Sequence, residues 1–387
     1  MKDQAEIPYW VALAHLPRWG TEKINRLIIK IVSDTKLSLE AFFHLPETDW
    51  RTKFELSEKD IYDLKQAKKE LVNHSFLAED LLSQGYDVIP INSPEYSRTL
   101  KSNLKAKYSP TILYVKGNKQ IMQENSIAIV GSRDASEISL QFTDNVANLA
   151  SKHYKIVVSG FAKGVDKQAL DSALKYTGQG IIVLPQGIMT RFSGFKKYYK
   201  PLVEGNVLVL STFYPNAVWS AGLAMARNPI IYGLAQEIYV AQSNEKGGTW
   251  EGVLDGLKKG RTIYVRMPEK NEKNANSSLI EKGAVPVDLN GKPVLPTEIR
   301  QEQISKAQFN GEGTDTLGTK ERIINALKAK PLTAKQLKDI LHLDLTTQKL
   351  SKHLKTLEEI EPIAKTKPLQ FRIKPEEKQI SLSLFRE

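Results

Sequence analysis

Apolar positions recur along this chain in two rhythms, and the switch between them marks its organisation. Residues 1–120 mix helical and short extended spacing. Ile7–Ile31 carries apolar residues at helical intervals on either side of Pro17-Arg18-Trp19-Gly20, which predicts two helices joined by a turn. Ile61–Gln84 reads as one long amphipathic helix stopped by Gly85. Tyr86–Ile91 and Ile112–Lys116 read as short strands.

From about 125 to 268 the rhythm changes. Short runs rich in Val, Ile and Leu recur at Ser126–Val130, Lys155–Val158, Gly180–Leu184, Val207–Leu210, Glu237–Ala241 and Thr262–Arg266. Helical patterns fill most of the gaps: Ser136–Ser151, Asp166–Tyr176, Ala217–Leu234 and Thr249–Lys259. Strands alternating with helices predict an α/β fold with a doubly wound, Rossmann-like parallel sheet, and near-continuous apolar strands are those buried on both faces.

Residues 269–318 are rich in Asn, Glu, Lys, Gly and Pro and read as a linker. Beyond them, three helical segments (Lys320–Ala329, Ala334–Leu341, Thr346–Leu357) precede two extended pieces (Pro362–Lys365, Gln370–Ile373). That order predicts a winged helix. The expected domains are therefore an N-terminal helical domain over 1–120, a Rossmann-like core over 121–268, a linker over 269–318 and a winged helix over 319–387.

Composition narrows the chemistry. The 387 residues suit two or three domains at roughly 100–200 residues each. There is no cysteine, so disulfides, zinc fingers, iron–sulfur clusters and thiol nucleophiles are excluded. The six histidines (15, 44, 74, 153, 342, 353) form no metal-binding pair, so neither a metal nor any other cofactor is expected. No apolar run is long enough for a membrane span, the first residues do not form a signal peptide, and a cytoplasmic location is expected. The net charge of +11 favours a polyanionic partner, nucleic acid first among them, although a basic surface that binds nothing specifically has the same charge.

In an open parallel sheet, ligands bind beyond the carboxyl ends of the strands. The loops predicted there are Gly131-Ser132-Arg133-Asp134, Ser159–Asp166, Pro185-Gln186-Gly187 and Gln242–Thr249. Their glycines are what any doubly wound fold needs at its turns. Arg133 and Lys163, in neighbouring loops at one sheet edge, add a planar fork and a mobile point charge, and point to anion binding. The first loop reads GSRDAS and lacks GxGxxG, and no Walker A motif occurs, which disfavours a dehydrogenase or a P-loop ATPase. Ser132 and Ser159 have no evident base partner.

The run Ser126–Ser136 (SIAIVGSRDAS), followed by Val157–Asp166 (VVSGFAKGVD), resembles the core of the DNA-processing protein A family, also called Smf. Gln84–Asn118, Val11–Leu27, Ala226–Ala235 (ARNPIIYGLA) and Lys246–Gly260 resemble further family segments. The resemblance implies a non-enzymatic protein that binds single-stranded DNA in recombination or natural transformation, protects it, loads the recombinase RecA, and works as a homodimer.

Position by position, the resemblance implies DNA or phosphate contacts at Ser132, Arg133, Ser159, Gly160, Lys163, Gly164, Arg227, Asn228, Gly248 and Thr249. It also puts an acid at Asp166, where capping of the following helix is the expected role. This is a divergent member: Pro229 replaces an arginine, Leu170 a histidine, Ser211-Thr212 a Ser-Glu pair and Val240 a glutamate, and Met189–Pro201 departs from the usual segment. The divergence leaves open a nucleic-acid-binding role in antiphage defence or as an antitoxin. A third reading is nucleotide N-glycosidic cleavage, because Gly247–Glu251 is reminiscent of the phosphoribohydrolase loop whose glutamate assists that reaction.

Phe161, Tyr198 and Tyr199 are candidate base-stacking residues, and the basic run Arg191–Lys200 either extends a DNA track or is a solvated face. In the winged-helix region, Thr347, Gln348, Lys349 and Lys352 lie where a recognition helix reaches duplex DNA, while contact with a protein or a structural cap stays open. Leu337, Ile340, Leu341, Leu343, Leu350, Leu354 and Leu357 form its expected core. Pro17–Gly20 resembles a helix-hairpin-helix turn, for which Trp19 favours a packing role.

Overall fold

The computed structural model describes residues 2–191, 194–270 and 272–294, and residues 323–374 apart from 325, 329, 342, 344–345, 358 and 364–368. The chain divides into two compact units between residues 295 and 296.

The first unit is built on a nine-stranded sheet. Its strands are β1 Asp87–Pro90, β2 Ile112–Gly117, β3 Ser126–Val130, β4 Ile156–Ser159, β5 Gly180–Val183, β6 Val207–Ser211, β7 Glu237–Val240, β8 Ile263–Arg266 and β9 Val285–Val287. They lie in the order β1-β2-β6-β5-β4-β3-β7-β8-β9. From β6 to β9 all neighbours are parallel; β2 joins β6, and β1 joins β2, in antiparallel pairing. The chain leaves β3 toward β4 and returns to its other side as β7, so the topological switch point lies between β3 and β7.

Period-two alternation explains the burial of β3. Ile127 and Ile129 face one apolar cluster, with Phe142 and Val146 of the Glu137–Lys152 helix. Ala128 and Val130 face the larger cluster on the other side. Both faces are covered, as the continuous apolar runs predict.

Two elements differ from the sequence expectation. The long helix expected over 61–84 is two helices, Glu58–Lys69 and Leu71–Ser83, meeting at Glu70. No glycine or proline breaks it. Its two buried stripes are instead out of phase: at about 100° per residue, Leu77 would stand roughly 160° from Ile61 on one unbroken helix. Both are buried only if the axis is reset between them.

The second difference lies in the expected linker. Within 269–294, Asn276–Glu281 is helical and β9 extends the sheet, pairing Tyr264 with Val285 and Arg266 with Val287. Its polar composition conceals buried polar partners: Asn276 is fully buried and hydrogen-bonded. The rest of the expected linker, 295–318, lies outside the described residues.

The hairpin turn near the N-terminus packs inward. The Trp19 Nε1–H donates to buried Asp63 at 3.1 Å, and Arg18 bonds the other carboxylate oxygen at 2.8 Å.

The second unit, taken by itself, has Leu332–Thr333 (β10), the helices Ala334–Leu341 and Thr347–Leu354, and the strands Ile360–Ile363 (β11) and Gln370–Ile373 (β12). The strands pair in the order β10-β12-β11, antiparallel throughout. Leu337, Leu343, Leu350 and Leu354 enter its core, whereas Ile340 is exposed. Ile340 stands about 60° from Leu337 on the side of the helix opposite Leu341, away from the sheet-facing stripe.

Candidate nucleic-acid interface

The loops after β3, β4 and β7 converge at the switch point. The turn after β3 is wedged in place. A side chain at Gly131 would meet Val165 Cγ2 at 2.7 Å and the Gln242 carbonyl at 3.0 Å. Gly164 has φ +83°, and a Cβ there would lie 2.4 Å from the Ser132 carbonyl. Only glycine combines that backbone with that approach. The Ser132 N–H donates to the Gln242 carbonyl at 2.9 Å, and the Val165 N–H to the Ser132 carbonyl at 3.3 Å.

This close packing brings Arg133 and Lys163 to the walls of the same cavities at the sheet edge. Both are exposed. The Arg133 guanidinium makes no hydrogen bond or ion pair among the described residues. Lys163 Nζ lies 3.3 Å from Asp134 Oδ1, with both side chains more than four-fifths exposed. Such a pair contributes little to stability and exchanges readily with solvent.

Several expected phosphate donors are engaged inside the protein. The Ser132 N–H is held by Gln242, as above. Ser159 is fully buried, and its hydroxyl donates to the Ile129 carbonyl at 3.0 Å. The N–H groups of Gly160 and Ala162 turn inward to the Asp166 carboxylate. Asp166 therefore ties down the loop before its helix, in place of the expected cap on the helix itself. Burial pushes its carboxyl above the usual range, against the nearby Arg227 charge and those two N–H groups.

Arg227 is also a brace, where the sequence suggested a DNA contact. It is 4% exposed, donates from Nη1 to the Val183 carbonyl at 3.2 Å, and lies 4.0 Å from Asp166. Its guanidinium covers Gly160 so closely that a Cβ there would fall 1.4 Å from Nη1. Its buried Nε has no partner. Burial lowers the pKa of this group, and Asp166 opposes the change.

Across the switch point, the Gly248–Lys258 helix begins at Gly247, φ +101°, without a side-chain cap. Its first intrahelical bond from this turn is Glu251 N–H to Gly247 at 3.0 Å, leaving the N–H groups of Gly248, Thr249 and Trp250 without intrahelical partners. Together with the helix dipole they form an anion-favouring end. The half-buried Asn228 amide lies against Gly248, where a Cβ would fall 2.5 Å from Nδ2. Arg133, Asn228, Lys246, Gly248 and Thr249 line one crevice of about 440 Å³.

Glu251 does not face this crevice. It lines a neighbouring cavity with Gly252 and Asp255, which shares Asn228 and Gly248 with the crevice.

Of the expected stacking residues, Tyr198 is buried, and Phe161 packs edge-on against it with ring centres 5.1 Å apart. Tyr199 is exposed but lines neither the crevice nor the neighbouring cavity. In the basic run, Lys197 pairs with Asp171 and Lys200 with Glu204, while residues 192–193 lie outside the described part. In the second unit, Thr347, Gln348, Lys349 and Lys352 are exposed on the Thr347–Leu354 helix, which Thr346 caps.

Sequence reasoning missed a buried frame behind the crevice. Arg266, 1% exposed, forms a bidentate pair with Glu272 and donates to the Ala241 carbonyl and the Ser139 hydroxyl, each at 3.0 Å. Asn276 accepts from the Ser243 N–H at 2.9 Å and donates to the Ala241 carbonyl at 3.1 Å. A lone Arg closing a strand was the one available signal.

The fold and crevice thus define a doubly wound protein with a cationic rim and a free helix N-terminus at its switch point. Residues 87–295, over half the chain, match the family described as DNA recombination-mediator protein A, and the chain belongs to that family. It is 28% identical over 156 residues to the DNA processing protein DprA of Streptococcus pneumoniae, covering 40% of this chain and 55% of that protein. It is 26% identical over 182 residues to DprA of Bacillus subtilis, covering 47% and 60%. The chain therefore spans a little over half the length of these relatives. The X-ray structure of the pneumococcal DprA superposes with a TM-score of 0.52 at 22% identity, over 76% of this chain and 96% of that one, and shares its fold.

Proposed function

We propose that this protein binds single-stranded DNA, without strong sequence preference, as a mediator of DNA recombination or natural transformation. Phosphates bind at Arg133 and Lys163 and at the N–H groups of Gly248 and Thr249, with Asn228 between them. The carrying observation is Arg133: an exposed guanidinium with no hydrogen bond or ion pair among the described residues, lining three cavities around the β3 turn. A planar fork held there by glycine packing suits a phosphate oxygen pair. The protein acts without catalysing a reaction, protects the bound strand, hands it to RecA, and does so as a homodimer. The second unit, proposed as a winged helix, presents Thr347, Gln348, Lys349 and Lys352 to duplex DNA or to a protein.

The test is an anisotropy titration with labelled oligo-dT across a salt series. Arg133→Ala should lower affinity at least tenfold and reduce the salt slope by about 0.7, the share of one phosphate on a single strand. If Arg133→Ala and Lys163→Ala both leave affinity and slope unchanged, the site is wrong.

A further inference from the structure

We infer that Trp219 is the base-stacking platform of this site, an inference that rests on the single-stranded-DNA reading above. Trp219 is 54% exposed, in a protein whose other four tryptophans are buried or half-buried. Its indole has no hydrogen bond, ring contact or cation–π partner among the described residues. It lines both the 440 Å³ crevice and the adjoining cavity of about 320 Å³, and Arg133 and Arg227 line the same two. Lys163 completes the rim of the smaller one.

The backbone holds this ring in place. The loop after β6 is seamed to the loop after β5: Met189 N–H donates to the Pro215 carbonyl at 2.9 Å, and Gly187 N–H to the Ala217 carbonyl at 2.8 Å. Gly187 permits that seam, since a Cβ would sit 2.2 Å from the Pro215 carbonyl. On its other side, Trp219 precedes Ser220, whose hydroxyl caps the Ala221–Leu234 helix by accepting from the Leu223 N–H at 3.1 Å. The ring is thus offered from a fixed backbone and needs little ordering on binding.

A large apolar face kept in water among cations fits a planar, weakly polar group attached to phosphates. A nucleobase is that group, and every base has a π-face, so the contact adds affinity without selecting sequence. Met225, also exposed, adds apolar surface to the crevice that the ring lines.

The experiment compares oligo-dT with an oligomer of the same length made of abasic sites, using the full chain. Wild type should bind oligo-dT about 10- to 100-fold more tightly than the abasic oligomer. Trp219→Ala should lose that difference and bind both alike, while Trp219→Phe keeps most of it. Oligo-dT should quench tryptophan emission in wild type and not in Trp219→Phe. The inference is overturned if Trp219→Ala retains the base preference, or if quenching persists in Trp219→Phe. It is also overturned if Trp219→Ala changes the oligomeric state without DNA, which would make the ring a contact between copies. If wild type distinguishes the two oligomers poorly but binds both, stacking fails and phosphate binding stands. If wild type binds neither, the single-stranded-DNA reading falls and takes the platform with it.

Discussion

Replacing Glu272 by Gln should be among the most damaging single changes in the first unit, although its neighbourhood reads as a linker. Glu272 holds the Arg266 guanidinium through two hydrogen bonds, and Arg266 is 1% exposed. Breaking a buried pair from one side leaves a charge without its counterion, at a cost of about 3–5 kcal/mol. For a unit of this size that corresponds to a fall of roughly 6–15 °C in melting temperature. Burial alone would raise the Glu272 carboxyl, but Arg266 and the Glu269 N–H outweigh burial and hold it below the usual range. A depressed carboxyl stabilises the fold above its unfolded pKa, near 4.3, and loses that contribution as pH falls through its folded value. The difference between wild type and Glu272→Gln should therefore be full at pH 7 and shrink below about pH 4. Differential scanning calorimetry across that range is the assay. Because Arg266 also holds Ala241 and Ser139, oligo-dT affinity should fall with stability. The double variant Arg266→Met with Glu272→Met should recover part of the loss, since no charge is then left buried. A shift below about 2 °C at pH 7 would refute the frame.

Two further outcomes follow from the same geometry. His15 is buried against Tyr114, which lowers its pKa to about 4. The neutral ring belongs to the fold, so its contribution is complete above pH 6.5 and is lost as pH falls toward 4, about 3 kcal/mol in all; His15→Gln should flatten the pH dependence of the urea midpoint over that window. Asp134→Asn removes an exposed carboxylate from beside Lys163, so oligo-dT should bind about 3- to 10-fold more tightly at low salt, with melting unchanged within about 1 °C; weaker binding would show that the pair, and not free Lys163, serves the site.

The sheet was legible because its signal is redundant. Each of the six core strands is an apolar run between turn residues, and each appears within a residue or two of its expected place. That Arg133 and Lys163 stand exposed in neighbouring turns at one sheet edge was legible for a similar reason, since both turns follow a strand of that redundant pattern. The inward roles of Ser159, Gly160 and Arg227 were not. Whether a loop N–H faces solvent or a buried carboxylate depends on where Asp166 and Arg227 sit across the fold, and local sequence does not encode it. The strand at 285–287 escaped notice because three residues of edge strand give no periodicity, and its polar surroundings imitate a linker. Trp219 escaped because a lone aromatic in a loop is ambiguous until its exposure is known.

One junction ties these parts together. The ring of His15 meets Tyr214 edge-on at 5.3 Å, and Tyr214 shares its loop with Trp219. His74, whose pKa burial also lowers, approaches the same tyrosine at 6.4 Å. The indole at the sheet edge is thus cantilevered from a small cluster of edge-on rings in which burial favours neutral imidazoles. Acid near pH 4 should loosen the footing of that arm as His15 takes up its proton, and the grip on DNA should weaken with it.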